Sequence, residues 1–277
     1  MRIGCHISVG QGFEAAVVRA HTLGAQCFQY FTKSPRMLRF SRKLDQEDAR
    51  RGRERQDALG LVSIGHAPYL VNLSAPEPEM RQASVEAVLW DLTVAGARGS
   101  YAVVVHCGKH KGAGREQGMA WMKQSLTEIL ERDTSGVRLL LENTAGQGTE
   151  LGTTAEELME LVADVGTADR IGVCLDTQHA YAAGVLDPAR PETFSPFTDP
   201  AFLARLGAIH LNDSKVPFGH RVDRHELIGQ GFIGPEGMAR ILHERAWQAV
   251  PFFLETPVAD EAQYADEIAR ARELAAS

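Results

Sequence analysis

Acidic and histidine side chains recur at the ends of short apolar runs in this sequence. The run VRLLLE ends on Glu142 and IGVCLD ends on Asp176, while LVSIGH and YAVVVH end on His66 and His106. A buried carboxylate is costly unless it is paired with a cation or bound to a metal ion. Imidazole and carboxylate groups are together the ligands that zinc, manganese and iron accept in proteins. The pattern therefore predicts a metal centre built from the ends of these runs.

Further candidate ligands lie at the ends of other apolar runs or a few residues beyond them in the chain. Two of them are separated by a single residue, so in an extended loop they can face the same side and share one ion. The combined set is too large for one tetrahedral zinc ion and indicates several ions with bridging carboxylates, as in sites that perform phosphodiester chemistry. The additional candidates are His179, His210, Asp223, His225 and Glu255.

Eight apolar runs must position these side chains, and segments with helical periodicity lie between them. Alternating strands and helices predict a parallel sheet, and eight strands close a (β/α)8 TIM barrel in which all strand ends meet on one face. An open doubly wound sheet is the alternative. The runs are 2–7, 26–31, 61–66, 101–106, 137–142, 171–176, 207–212 and 251–255, and the clearest helical segments are 13–24, 80–99, 153–166 and 235–246.

Local signals predict where some of these elements begin. Thr153 and Glu156 have the spacing of a capping box at a helix N-terminus. Pro235 suits the first position of the last of these helices. A proline-rich stretch predicts a long loop before the seventh strand, and its prolines are Pro188, Pro191, Pro196 and Pro200.

Composition limits the class of protein. The chain has 277 residues, of which 44% are hydrophobic, and its 29 basic and 36 acidic side chains leave a net charge of −7. This balance argues against a non-specific polyanion binder but allows a local basic face. No linker or change in composition divides the chain, so we expect one domain over residues 1–277. The four cysteines have no C-x-x-C spacing, which favours a reduced, cytoplasmic setting, and no apolar run reaches membrane-spanning length.

Several long motifs follow one another along almost the whole chain. They are FTKSPR (31–36), HAPYLVNL (66–73), LENTAGQG (141–148), LDTQHAYAAG (175–184), HLNDSK (210–215), RVDRHELIGQG (221–231) and LET (254–256). These motifs resemble those of the endonuclease IV family of apurinic/apyrimidinic (AP) endonucleases. This resemblance implies a TIM barrel that holds three zinc ions and acts as a monomer on double-stranded DNA. The implied reaction is hydrolysis on the 5′ side of an abasic site in base excision repair, leaving a 3′-hydroxyl and a 5′-deoxyribose phosphate, with trimming of blocked 3′ ends.

The resemblance also implies how nine ligands share three ions, although manganese or iron suit the same side chains. Glu142 is implied to bridge two ions and to orient the attacking water, which makes it the candidate catalytic residue. The first ion would be held by His66, His106 and Glu142, the second by Glu142, Asp176, His210 and Glu255, and the third by His179, Asp223 and His225.

Three residues resemble the DNA contacts of that family, and a fourth candidate comes from the charge pattern. Arg36 matches an arginine inserted into the minor groove, and Tyr69 and Leu70 match a wedge that fills the gap left by a flipped abasic nucleotide. Lys33 belongs to a local basic patch suited to phosphate contact. Ordinary loop packing and a solvated loop face are the alternatives. The other members of the patch are Arg39, Arg42 and Lys43.

The chain departs from the family pattern at a few positions, which concern loop rigidity and base context rather than the ligand set. His6 matches the first strand of the family, but we expect it to hydrogen-bond near the metal ligands instead of binding metal. The departures are Cys107, where proline is usual, Gln178, where cysteine is common, and Ser34 and Pro35, where polar amides are usual.

Two other functions remain open at this stage. A metal-dependent sugar isomerase or epimerase uses the same barrel with fewer histidines and one or two ions. It has no need of the third ligand set or of DNA-contacting loops. A barrel that binds damaged DNA or stores zinc without cleaving is the second alternative, and the intact ligand set argues against it.

Overall fold

A closed barrel of eight parallel strands forms the centre of the molecule, and helices cover its outside. The computed structural model describes residues 1–38 and 43–277. Around the barrel the strands follow the order β1, β10, β7, β6, β5, β4, β3, β2, and β2 closes the ring by pairing with β1. These strands are β1 (Ile3–His6), β2 (Cys27–Phe31), β3 (Val62–His66), β4 (Ala102–His106), β5 (Arg138–Glu142), β6 (Ile171–Asp176), β7 (Leu206–His210) and β10 (Phe252–Leu254).

The helices and a small hairpin complete the architecture. Strands β8 (Asp213–Ser214) and β9 (His225–Glu226) pair antiparallel above the barrel. The helices of the described chain are α1 (Phe13–Thr22), α2 (Gln46–Leu59), α3 (Pro78–Ala97), α4 (Arg115–Arg132), α5 (Ala155–Ala163), α6 (Thr177–Ala183), α7 (Ser195–Thr198), α8 (Pro200–Arg205), α9 (Gly234–His243) and α10 (Tyr264–Ala276), with 3-10 turns at Pro191–Phe194, Arg245–Trp247 and Glu261–Gln263.

The expected (β/α)8 TIM barrel is confirmed, and the alternative of an open sheet is wrong. Each predicted apolar run overlaps one barrel strand, although β7 begins at Leu206, one residue before its run. The last strand ends at Leu254, so Glu255 lies just beyond it rather than within it. In the described part of the chain, no helix combines the length and the apolar character needed to cross a membrane.

Strand β5 illustrates why these runs are almost entirely apolar. Leu139 and Leu141 belong to the large core that includes side chains of the surrounding helices, whereas Leu140 belongs to a small cluster within the barrel. A parallel strand covered on both faces needs apolar residues at successive positions. Because alternate side chains share a face, Leu140 and Glu142 both point into the barrel, with Glu142 at the carboxyl end.

Three local predictions are corrected by the structure. The N-terminal cap of α5 lies one residue later than expected, because the hydroxyl of Thr154 accepts from the backbone amide of Glu157. The carboxylate of Glu157 accepts in turn from the backbone amide of Thr153. Helix α9, predicted to start at Pro235, begins at Gly234, so Pro235 is the second residue of its first turn. The proline-rich stretch is not an open loop, since it forms a 3-10 turn and the short helices α7 and α8, each with a proline near its N-terminus where no backbone donor is required.

Candidate metal centre

Glu142 lies at the centre of the cluster formed by the strand ends. Its Oε2 atom is 3.1 Å from Nε2 of His66 and 3.2 Å from Nε2 of His106. Its Oε1 atom is 2.9 Å from Nδ1 of His210 and 3.4 Å from Nδ1 of His179. Two ligands of one tetrahedral zinc ion stand roughly 3.3 Å apart. The two oxygens of one buried carboxylate therefore face different histidines, His66 and His106 on one side and His210 on the other, as a bridging ligand does.

The register between neighbouring barrel strands brings a second group of candidate ligand atoms together. Asp176 and His210 are direct partners in the β6–β7 pairing, and Oδ2 of Asp176 lies 3.9 Å from Nδ1 of His210. Oε2 of Glu255 approaches the same nitrogen to 3.2 Å. One atom from each of Glu142, Asp176, His210 and Glu255 lies within 4.8 Å of the others. This is the same group of four that the family resemblance implied for a second ion.

The third group joins helix α6 to the loop before β9. Oδ1 of Asp223 lies 3.3 Å from Nε2 of His179 and 3.6 Å from Nε2 of His225. Oδ2 of Asp176 is also 3.7 Å from Nε2 of His225. Asp176 therefore lies between the second and third groups, although the sequence associated it with the second alone.

Hydrogen bonds on the far side of three histidine rings indicate how these rings are protonated. The Nδ1 atoms of His66, His179 and His225 lie 2.7, 2.9 and 3.2 Å from the backbone carbonyl oxygens of Ala67, Asn143 and Glu255. Carbonyl oxygens only accept, so each Nδ1 carries a proton and each Nε2 is directed at the carboxylates.

The surroundings of His225 suit a bound metal ion. Its Nε2 atom is buried and has no hydrogen-bond partner among the described residues, although it faces the carboxylates of Asp176 and Asp223. A lone pair directed at two carboxylates is favourable when a cation lies between them. The donor set thus fits metal ions, with carboxylate oxygens and imidazole nitrogens as ligands.

Electrostatics keep the central carboxylates ionised. Burial by itself raises the pKa of Glu142, but the neighbouring imidazoles, His106 and His210 foremost, hold that pKa well below its usual value. Burial likewise opposes ionisation of Asp223 and Glu255, while His179 and His210 respectively lower their pKa values. Ionised carboxylates are the form that a metal ion requires.

Gln29, in β2, is a functional residue that the sequence interpretation missed. Its side-chain oxygen lies 2.8 Å from Nε2 of His210, and its nitrogen donates to Oε1 of Glu255 at 2.5 Å. The nitrogen also lies 3.2 Å from Nδ1 of His6, which agrees with the hydrogen-bonding position expected for that residue. The available signal was a fully buried amide within the otherwise apolar run CFQYF.

Two buried asparagines position Asp176 and Glu255. The amide of Asn212 donates to Oδ2 of Asp176 at 2.7 Å, and its oxygen accepts from the backbone of Glu255 at 2.9 Å. The side chain of Asn143 makes two hydrogen bonds with the backbone of Asp176. The orientation of these carboxylates is therefore set by neighbours as well as by the barrel.

Two of the departures from the family pattern, Cys107 and Gln178, are buried behind the candidate ligands. Cys107 is a free thiol that packs beside Gly152 and lies 3.4 Å from the backbone oxygen of Glu142. The nitrogen of Gln178 donates to the backbone oxygen of Val222 at 3.0 Å, directly before Asp223. Gln178 thus connects α6 to the loop that carries Asp223.

The wedge candidates lie at the rim of the ligand cluster. Tyr69 and Leu70 are adjacent in the chain and remain 67% and 50% exposed. The Tyr69 ring contacts the edge of Phe31 at a centroid distance of 5.2 Å, and Phe31 contacts the imidazole of His66 at 5.4 Å. Arg36 is exposed in the loop that follows β2.

Lys33 does not occupy the position expected of a phosphate contact. Its side chain is only 6% exposed, and its ammonium group lies 2.5 Å from Oδ1 of the fully buried Asp91. An ammonium group held by a buried carboxylate is not presented to a ligand at the surface. Of the remaining basic patch, Lys43 is exposed, whereas Arg39 and Arg42 lie outside the described residues.

Comparisons with known proteins agree with this geometry. Residues 17–274 match the family model described as a xylose isomerase-like TIM barrel. A protein named probable endonuclease 4 from Symbiobacterium thermophilum is 47% identical over 99% of both chains. Another of that name from Methanoculleus marisnigri is 37% identical over 99% of this chain and 98% of its own.

Solved structures give the same result. The crystal structure of endonuclease IV from Thermus thermophilus superposes with a TM-score of 0.85 at 38% identity, covering 99% of this chain and 98% of that one. A D-tagatose 3-epimerase-like protein, 20% identical with a TM-score of 0.75 and coverage of 100% and 98%, shares the fold alone. The chain therefore belongs to the endonuclease IV family of enzymes, built on a xylose isomerase-like TIM barrel.

Proposed function

We propose that this enzyme is a metal-dependent AP endonuclease of base excision repair. It hydrolyses the phosphodiester on the 5′ side of an abasic site in double-stranded DNA and leaves a 3′-hydroxyl and a 5′-deoxyribose phosphate. Residues 1–277 act as one catalytic domain, as a monomer in the cytoplasm, and the same site trims blocked 3′ ends. The observation that carries the proposal is the buried carboxylate of Glu142, whose two oxygens face separate sets of histidines.

The proposed cofactor is a set of three zinc ions, for which manganese or iron can substitute in the same ligand types. When bound, the ions supply Lewis-acid activation of water and neutralise charge on the phosphate and leaving oxygen. We divide the ligands among three groups as the family resemblance implies. The structure also brings Asp176 close to His179 and His225, so Asp176 is positioned to serve two of these groups. The nine ligands are His66, His106, Glu142, Asp176, His179, His210, Asp223, His225 and Glu255.

Glu142 has a second role beyond holding metal. Its carboxylate is ionised and fully buried, and the imidazoles on both sides restrict its orientation. A fixed carboxylate can accept a hydrogen bond from the attacking water and thereby orient it toward phosphorus. Gln29 and Asn212 hold the neighbouring ligands His210 and Asp176, so the site needs little reorganisation during the reaction.

Recognition of the lesion is assigned to the exposed rim. Tyr69 and Leu70 are placed to enter the gap that a flipped abasic nucleotide leaves, because their side chains are exposed beside a ligand, His66. Apolar insertion offsets lost base stacking, and flipping costs least where the base is already absent. Arg36 supports the same surface from the loop after β2. Phosphate contact through Lys33 is not retained in the proposal, because its ammonium group is engaged by Asp91.

The sugar isomerase or epimerase alternative has less support. The epimerase structures that resemble this chain, such as the D-tagatose 3-epimerase-like protein, are 20% identical to it or less and show the fold alone. The xylose isomerase-like family model likewise describes the barrel. The group formed by His179, Asp223 and His225, and the exposed pair Tyr69 and Leu70, have no role in enclosing a small sugar.

A single oligonucleotide experiment tests the proposal. A duplex with one central abasic analogue, labelled at its 5′ end, is incubated with purified protein whose metal content is measured in the same batch. We expect one cut on the 5′ side, a product that a polymerase can extend, and about three ions per chain. An intact abasic duplex with fully loaded protein overturns the proposal, and cleavage of an undamaged duplex overturns the lesion specificity. A duplex with a 3′-phosphate at a nick tests the trimming activity separately.

A further inference from the structure

A buried ion pair lies at the base of the loop that carries Arg36. The Lys33 ammonium group is 2.5 Å from Oδ1 of Asp91 and donates to the backbone oxygen of Ala87 at 3.0 Å. The hydroxyl of Thr32 donates to the same Asp91 oxygen. Two successive residues of the chain after β2 are therefore bound to one carboxylate on helix α3.

Asp91 is in an unusual position for a carboxylate. It lies within α3, is fully buried, and its second oxygen has no hydrogen-bond partner among residues 1–38 and 43–277. Burial raises the pKa of Asp91 to about 6, against the opposing effect of Lys33. A carboxylate that costs free energy to bury and is not among the ligands needs another reason to be there.

The segment held by Asp91 connects directly to the proposed recognition surface. Thr32 follows Phe31, whose ring contacts both His66 and Tyr69. Gly65, in the neighbouring strand β3, leaves room for Thr32, because a Cβ atom at this glycine would lie 3.0 Å from the Thr32 methyl carbon. The start of the loop is thus fixed from α3 on one side and from β3 on the other.

We propose that Asp91 and Lys33 are positioning residues for DNA recognition, and that their ion pair holds the loop of residues 32–38 in its binding geometry. Arg36 is exposed three residues beyond Lys33, close enough in sequence for its direction to depend on this anchor. Lys33 acts through the loop and makes no phosphate contact of its own. The inference rests on the proposed function and assigns a recognition role to α3, which contributes no metal ligand.

The physical effect is preorganisation. A loop that is already ordered in the free protein loses less conformational freedom when it binds, so its contacts contribute more to affinity. Breaking the pair should weaken substrate binding while leaving the chemical step unchanged, because the candidate ligands lie at the strand ends and Asp91 forms its hydrogen bonds and its ion pair with Thr32 and Lys33 instead.

The test compares Lys33→Met, Asp91→Asn and the double variant with wild type. Lys123→Met is the matched control. Lys123, in helix α4, also pairs with carboxylates, those of Glu160 and Asp164, but it is not part of the loop that carries Arg36. Single-turnover cleavage of the abasic duplex gives a half-saturating enzyme concentration and a maximal rate at several salt concentrations. Metal content and thermal unfolding are measured for each protein.

We expect each single variant to raise the half-saturating concentration by roughly 3- to 10-fold with a maximal rate near that of wild type. The double variant should be no worse than the singles, because both changes remove the same interaction. The salt dependence should keep its wild-type slope, and Lys123→Met should match wild type throughout.

Two results overturn the inference. If Lys33→Met lowers the salt slope by about one while Asp91→Asn binds normally, Lys33 contacts phosphate directly. If neither variant changes the half-saturating concentration, the pair has no recognition role.

Amide hydrogen exchange in residues 32–38 tests the anchor independently of cleavage. Should Asp91→Asn not fold, Lys33→Met must still show faster exchange in residues 32–38, and unchanged exchange there overturns the anchor. Absence of cleavage by wild type overturns the proposed function instead, while exchange in this segment still reports on the ion pair.

Discussion

The side-chain oxygen of Gln29 accepts from Nε2 of His210 at 2.8 Å, which leaves Nδ1 of that histidine directed at Glu142 and Glu255. The amide nitrogen of Gln29 donates to Glu255, so its oxygen must be the atom facing His210. One amide from β2 thereby orients a histidine ligand from β7 and a carboxylate beyond β10.

Replacing Gln29 by methionine tests this relationship. Methionine keeps the side-chain length but cannot accept from His210, so the ring loses the bond that fixes its tautomer. We expect metal affinity to fall by about 10- to 100-fold, as is usual when such a supporting bond is removed. Competition against a chromophoric zinc chelator measures the change. Gln117→Met, on the exposed face of α4, is the control, and equal metal retention in both variants would contradict the supporting role.

Glu142→Gln separates cleavage from binding. The variant keeps the size of the side chain but loses the charge that faces histidines on both sides. We expect the cleavage rate to fall by a factor of about 100 to 1000 or more, with binding to abasic duplex largely retained. Gel shift and nicking assays on the same preparation measure the two effects. Glu150→Gln, which loses a carboxylate paired with Lys109, should cleave normally. Substantial nicking by Glu142→Gln would refute its central role.

Tyr69→Ala should weaken damage recognition without loss of metal. The exposed ring is expected to replace stacking at the abasic gap, and removing such a contact costs about 1–3 kcal/mol, or roughly 5- to 150-fold in affinity. Titration of abasic and undamaged duplexes measures the difference. Tyr69→Phe keeps the ring and should bind the abasic duplex like wild type. An alanine variant with unchanged abasic-site affinity would show that the wedge assignment is wrong.

Gln178→Ala should loosen the third ligand group. The Gln178 amide holds the backbone at Val222, and Asp223, the next residue, has a side chain that is 46% exposed and depends on this loop for its position. Under mild chelation we expect the variant to lose about one ion per chain while the wild type retains its full set. Metal analysis after dialysis measures this. Gln117→Ala serves as the control, and identical retention would exclude a positioning role for Gln178.

Removing the metal should destabilise the fold. Without cations, the carboxyl groups of Glu142, Asp176 and Glu255 share one buried space, where like charges repel. Ligands that bind only the native state stabilise it by about 4 kcal/mol at 1,000 times their Kd. For a chain of this length we expect chelation to lower Tm by roughly 10 °C, and zinc to restore it. A melting temperature indifferent to chelator would be inconsistent with a metal centre of this kind.

Much of the fold could be predicted because it depends on regular patterns. Each of the eight apolar runs overlaps a barrel strand, since a strand buried on both faces must be apolar along its length. Local details were less secure. The cap predicted at Thr153 forms at Thr154, because either threonine can supply the hydroxyl and only packing of the helix selects one.

The candidate site was predictable for a similar reason. Parallel strands in a barrel place all their carboxyl ends on one face, so residues such as Glu142 and Asp176, far apart in the chain, had to meet there. The sequence alone therefore determined the barrel, the face of the site and the types of its ligands.

The tertiary structure decided how individual side chains are engaged. Gln29 joins the site and Asp176 lies between two groups because of distances across the barrel that no spacing along the chain encodes. The sequence around Lys33 indicates an exposed base in a basic segment, yet Asp91, on a helix that begins more than forty residues later, holds it in the interior. Whether a charged side chain faces solvent or a buried partner depends on which distant segments pack against it, and this packing exists only in the folded chain.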